Sequence, residues 1–153
     1  MKKAFKIFLL LIFAAFIVIQ FFRIDKTNPP IAEGNNIEAA LAVPADVSMI
    51  LSRSCADCHS NNTVYPWYSN IQPAAWFLKD HIDEGRRELN LSEFNTYTAK
   101  KQKRKLEEIC EMVGSTQMPL PSYLWLHRDA ALSDSERKAI CDWSKAEAEK
   151  IQL

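Results

Sequence analysis

The longest apolar run of the chain comes first, and the hydrophobic pattern changes after it. From Ile7 to Phe22 every residue is apolar except Gln20, and Lys2, Lys3 and Lys6 precede the run. Counting from Ala4 to Ile24 gives about the 20 residues a bilayer-crossing helix needs. The basic flank predicts a cytoplasmic N-terminus and export of the rest. Gln20-Phe21-Phe22-Arg23 is bulky where a cleaved signal shows small residues. The expectation for 1–24 is therefore an uncleaved single-span membrane anchor, with a cleaved signal as the alternative. Residues 25–43 read as a linker: Asn28-Pro29-Pro30 stops a helix and Gly34-Asn35-Asn36 signals a turn.

Beyond residue 43 the apolar positions recur at helical spacing. Pro44 to Ser54 is predicted helical, with Val47, Ile50 and Leu51 on one face and Pro44 suited to a first turn. Residues 60–72 read as a loop containing Tyr65-Pro66-Trp67-Tyr68. Pro73 to Leu89 places Ala75, Leu78, Ile82 and Leu89 roughly on one face. After a break at Leu91-Ser92-Glu93-Phe94, Thr98 to Val113 aligns Leu106, Ile109, Cys110 and Val113, with Gly114 as a candidate C-cap. A proline-stiffened loop, Met118-Pro119-Leu120-Pro121, and a short turn over 123–127 lead to the last helix, Ser133 to Lys150. Ser133 and Glu136 fit a capping box there, and Ile140 and Trp143 can pack inward.

This pattern, with only 3 glycines and little strand-like alternation, predicts an all-α fold. About 110 residues, 44–153, remain for one domain, enough for a core. Lys plus Arg and Asp plus Glu number 19 each, so no global charge points to nucleic acid. The basic run Lys100, Lys101, Lys103, Arg104 and Lys105 reads as a solvated helix face, or as a patch that steers an acidic redox partner or touches anionic lipid.

The candidate chemistry sits in Cys55-Ala56-Asp57-Cys58-His59. Two thiols two residues apart, with an imidazole directly after the second, form the attachment signature of a c-type haem. Each thiol can add to one vinyl group, and His59 can present a ring nitrogen to the iron. Three alternatives stand beside it: half of a zinc site, a thioredoxin-like redox pair, or a Cys55–Cys58 disulfide. Cys110 and Cys141 form no pair of metal-ligand spacing, and no strand of a βαβ unit precedes Cys55. Met118, distant from the motif and locked by Pro119 and Pro121, is the candidate sixth ligand, ahead of His81. Met112 lies within a helix beside Glu111, and Met1 and Met49 are excluded by position. Trp67 and Tyr68 are candidates to pack along the porphyrin edge, and Arg86 to contact a propionate. The alternatives are core aromatics and, for His81, a hydrogen-bonded surface or core side chain. Two cysteines remain after haem attachment, so an exported chain predicts a Cys110–Cys141 disulfide, with two buried thiols as the alternative.

The order of these parts is similar to the class I cytochrome c arrangement: a helix into Cys-x-x-Cys-His, intervening helices, a Met-Pro loop, and a capped helix with an aromatic. The detail resembles a family of small, membrane-anchored haem-binding domain proteins. The residues that carry it are Cys55 to Asn61, Pro66-Trp67-Tyr68-Ser69, Trp76, His81, Gly85-Arg86, Asn90, Met118-Pro119 and Tyr123. The resemblance spans residues 49–143. It implies one covalent haem c in a cytochrome c-like helical domain; it supplies neither a reaction nor a partner. The expected function is a membrane-anchored monohaem electron carrier on the extracytoplasmic side, served by redox partner proteins. Two competing readings are a peroxidase or small-ligand sensor with a labile sixth site, using His81 or His127, and a non-redox domain in which haem is structural.

Overall fold

The computed structural model describes residues 1–153 and is entirely helical. Eight α-helices follow in order: α1 Lys2–Ile19, α2 Ile37–Ala40, α3 Ala45–Ser54, α4 Ala56–His59, α5 Ala74–Glu88, α6 Ala99–Gly114, α7 Pro121–Leu124 and α8 Asp134–Lys150. Short 3-10 turns lie at Trp67–Asn70, Phe94–Thr96 and Arg128–Ala130.

The transmembrane helix expected over 1–24 is not present: no helix is long and apolar enough to cross a membrane. α1 begins with Lys2 and Lys3, carries Lys6 in its second turn, and stops at Ile19. Its uncharged part, Ile7 to Ile19, spans about 20 Å at 1.5 Å per residue, against about 30 Å of hydrocarbon. The residues that were to complete the span are bound elsewhere. Gln20 donates to the Gln72 carbonyl at 3.0 Å and accepts from the Gln72 amide at 2.9 Å. The Phe22 carbonyl accepts from Trp76 Nε1 at 3.0 Å, and just beyond the expected span Lys26 reaches Asn70 Oδ1 at 2.6 Å. No residue of α1 is buried.

Residues 25–43 lie against the helical domain rather than standing off it. Ile37 is fully buried and its amide donates to the Leu91 carbonyl. Asn28 and Pro30 bond to Thr63 and Asn61, and Gly34, at φ 81° in the turn, accepts from Asn95. An apolar side chain in this segment gains more from burial than the segment gains from remaining free.

The core joins Ile37 to Val47, Ile50 and Leu51 of α3, Leu91 and Phe94 of the segment between α5 and α6, Leu106, Ile109 and Val113 of α6, and Ile140, Trp143 and Ala148 of α8. α6 and α8 form its main helix pair, and α3 packs across α8. Each helix presents its apolar stripe to this centre, which is why their 3.6-residue period was readable. Ser133 makes the reciprocal capping box with Glu136 at the start of α8. At the end of α6, Gly114 stays helical; the cap is Ser115, and Thr116 takes the left-handed conformation at φ 60°. Cys110 of α6 and Cys141 of α8 are joined as a disulfide, with Cα atoms 4.4 Å apart.

Candidate haem site

The Cys-x-x-Cys-His turn is itself a helical turn, α4, directly following α3. Its ends are fastened from outside. The His59 carbonyl accepts from the Leu91 amide at 2.7 Å. Asn61 accepts from Asn90 Nδ2 at 2.8 Å, and its own amide donates to Ser92 Oγ at 3.0 Å. Arg86 donates to the Ser60 carbonyl at 2.8 Å, Asn28 Oδ1 at 2.7 Å and Thr63 Oγ1 at 2.9 Å, so it knots the loop that leaves the motif.

α5 approaches α4 through Gly85. A Cβ there would stand 2.7 Å from the Cys58 carbonyl oxygen, closer than any side-chain carbon tolerates. This approach brings the last carbonyls of α5 onto the imidazole: His59 Nδ1 lies 3.0 Å from Gly85 O and 3.0 Å from Leu89 O. A carbonyl only accepts, so Nδ1 carries the proton and Nε2 keeps its lone pair. Burial pushes the imidazolium pKa down, against the two carbonyl bonds that raise it, and the neutral ring is the form a metal binds.

A cavity of about 480 Å³ opens over this turn. Cys55, Asp57, Cys58 and His59 line it from α4; His81, Glu84, Gly85, Glu88 and Leu89 from the α5 side; Lys105, Glu108, Ile109, Glu111, Met112 and Val113 from α6; and Met118, Pro119, Leu120 and Tyr123 from the loop beyond. Met118 is half-buried, and its amide donates to the Met112 carbonyl at 3.1 Å, which folds the loop back over the helix end. Tyr123 donates to Asp57 Oδ2 at 2.7 Å, closing one edge. Burial pushes the Cys55 thiol up to about 12 and the Cys58 thiol up to about 11. Neither is disulfide-bonded. No three His, Cys, Asp or Glu side chains converge as a metal cage, which leaves the zinc alternative without a ligand set.

Of the residues singled out in the sequence, Cys55, Cys58, His59, Met118 and His81 line one cavity, and Trp67, Tyr68 and Arg86 do not. Trp67 is exposed, Tyr68 bonds His127 Nε2 at 2.9 Å, and Arg86 is spent on the loop, so porphyrin-edge and propionate roles do not follow from their placement. His127 stacks on Tyr123 outside the cavity. His81 lines the wall through α5, with Nδ1 2.8 Å from the Phe77 carbonyl. Sequence reasoning missed the carbonyl pair on His59, the Asp57–Tyr123 bond and the ion pair of Lys105 with Glu88, 3.3 Å apart. All three join segments distant in sequence, and no periodicity marks them.

The donor set fits haem: paired thiols and a tautomer-fixed imidazole lining a mostly apolar cavity, with a thioether in its wall. The family described as "Haem-binding domain" matches residues 14–146. No curated protein and no solved structure matches the chain. With the match covering most of its length, the chain belongs to the haem-binding domain family.

Proposed function

We propose that this haem-binding protein is a monohaem c-type cytochrome that carries single electrons between partner proteins. The observation that carries the reading is the anchoring of His59 Nδ1 by Gly85 O and Leu89 O, with Nε2 left free in the same turn as two unpaired thiols. Haem supplies the one-electron couple. Cys55 and Cys58 would hold the haem through two thioether bonds, His59 through a neutral ring nitrogen and Met118 through its thioether sulfur.

The geometry favours Met118 over His81 as the sixth ligand. Nδ1 of His59 faces the end of α5, so Nε2 lies on the other side of the ring. A second ligand carried by an element other than α5 would approach from away from the helix that anchors His59. His81 is on α5, one turn before Gly85, whereas Met118 comes from the loop after α6. The enzyme or sensor reading needs a distal base; His127 is engaged by Tyr68 away from the cavity, and His81 has the limitation just given. A Met/His ligand pair raises the potential and closes the sixth position to small ligands. The Cys110–Cys141 bridge supports an oxidising, extracytoplasmic setting for the domain.

The test is haem staining after denaturing electrophoresis, with spectra of three variants. Covalent haem should be present in the wild type and absent from Cys55→Ala/Cys58→Ala. Met118→Ala should lose the sulfur-to-iron charge-transfer band and bind carbon monoxide, while His81→Ala keeps the band. An unchanged stain in the double cysteine variant would refute covalent attachment. Loss of the band in His81→Ala alone would refute the Met118 assignment.

A further inference from the structure

Lys105 is the one buried member of the basic run on α6, with 4% of its surface exposed. Its Nζ lies 2.6 Å from Glu108 Oε2 and 3.3 Å from Glu88 Oε2. Both glutamate side chains keep contact with water, at 40% and 61% exposure, while the Lys105 side chain, at 5%, does not. All three side chains line the cavity. Glu88 immediately precedes Leu89, whose carbonyl holds His59, so the ammonium stands beside the element that orients the proximal imidazole. Burying an ammonium is costly, and an apolar contact between α5 and α6 would tie the helices at least as well.

We infer that Lys105 is a potential-setting residue, a fixed positive charge in the wall of the haem cavity that favours the reduced iron. This rests on the haem reading above. One electron from an external one-electron donor lowers the charge of the site by one. A cation in a region screened from water stabilises that product, and a carboxylate at the same place opposes it. Glu108 and Glu88 together carry one more charge than the ammonium they hold, but both are open to water and are screened more than it is.

The experiment is an equilibrium redox titration of the haem-loaded protein, followed by absorbance, for the wild type, Lys105→Met, Lys105→Arg and Glu108→Gln. The midpoint potential should fall in Lys105→Met, rise in Glu108→Gln and stay near wild type in Lys105→Arg. The Lys105→Met shift should persist at high salt, because a buried charge is weakly screened, whereas the Glu108→Gln shift, from a carboxylate 40% exposed, should shrink. A mere helix tie predicts otherwise: loosening either side of the pair admits water and moves both variants the same way. Shifts of equal sign, or none, would overturn the inference. Should Lys105→Met fail to fold, Glu108→Gln decides: a rise supports the role, and a fall or no change overturns it. Haem staining of the same samples separates the two failures. Absence of covalent haem overturns both readings, and attached haem with the wrong signs overturns this one alone.

Discussion

Gly85 sets how closely α5 can approach the attachment turn, and that spacing decides whether His59 has its hydrogen-bond partners. The nearest atom to a Cβ at this position is a backbone oxygen, which cannot swing aside as a flexible side chain would. Gly85→Ala should therefore push α5 off α4 and pull the Gly85 and Leu89 carbonyls away from Nδ1. The cost expected for overpacking a close contact is about 1–3 kcal/mol. Denaturant unfolding should show that loss, together with a lower yield of haem-loaded protein. Gly114→Ala, with nothing within 4 Å of its added Cβ and a helical backbone, should be neutral or stabilising in the same assay. A variant at Gly85 as stable as wild type would mean that the approach is slack.

Among the elements, α8 shows how a local signal becomes a tertiary one. Ser133 and Glu136 cap the helix, and Glu136 also takes Arg53 of α3 at 2.8 Å. The Ser133 amide, then Arg53, then the Ser133 hydroxyl hold the Glu136 carboxyl down at about 2, from an ordinary 4.5. A carboxylate depressed in the folded state contributes stability above its unfolded pKa and loses it as pH falls through the folded one. The wild type should thus lose stability between about pH 4.5 and 2 in a step that Glu136→Gln removes, as read by thermal unfolding across that range. Ser133→Ala should cost about 0.5–2 kcal/mol, the usual loss of an N-cap. An acid limb of the same slope in Glu136→Gln would assign the transition to other carboxylates.

At the scale of the whole molecule, the α6–α8 pair carries the core and the Cys110–Cys141 bridge crosses it. The bridge closes a separation of 31 residues. In the chain-entropy account that contributes about 3–4 kcal/mol by restricting the unfolded chain. Cys110→Ser/Cys141→Ser should lower the denaturant midpoint by the corresponding amount, and a reductant should do the same to wild type while leaving the double variant unmoved. Cys110 and Cys141 should also resist alkylation in unfolded, unreduced protein. Alkylation of both without reductant would show that the bridge is absent in solution.

The amino-acid sequence by itself determined the helical class and the bounds of α3, α5, α6 and α8 to within a residue or two, because each buries one stripe at a 3.6-residue period and carries a local start signal. It also singled out the Cys55, Cys58 and His59 chemistry, because that chemistry needs only short spacing along one turn. Only the tertiary structure decided what lies between and around these parts. Gln20 and Phe22 were counted into an apolar span, yet they bond to Gln72 and Trp76, partners more than fifty residues away. Arg86 was offered to a cofactor and Lys105 to solvent. The fold gave the first to Ser60, Asn28 and Thr63 and buried the second between two glutamates. A long polar side chain goes where its charge or hydrogen bonds are satisfied, and those partners are brought near it by packing rather than by spacing along the chain.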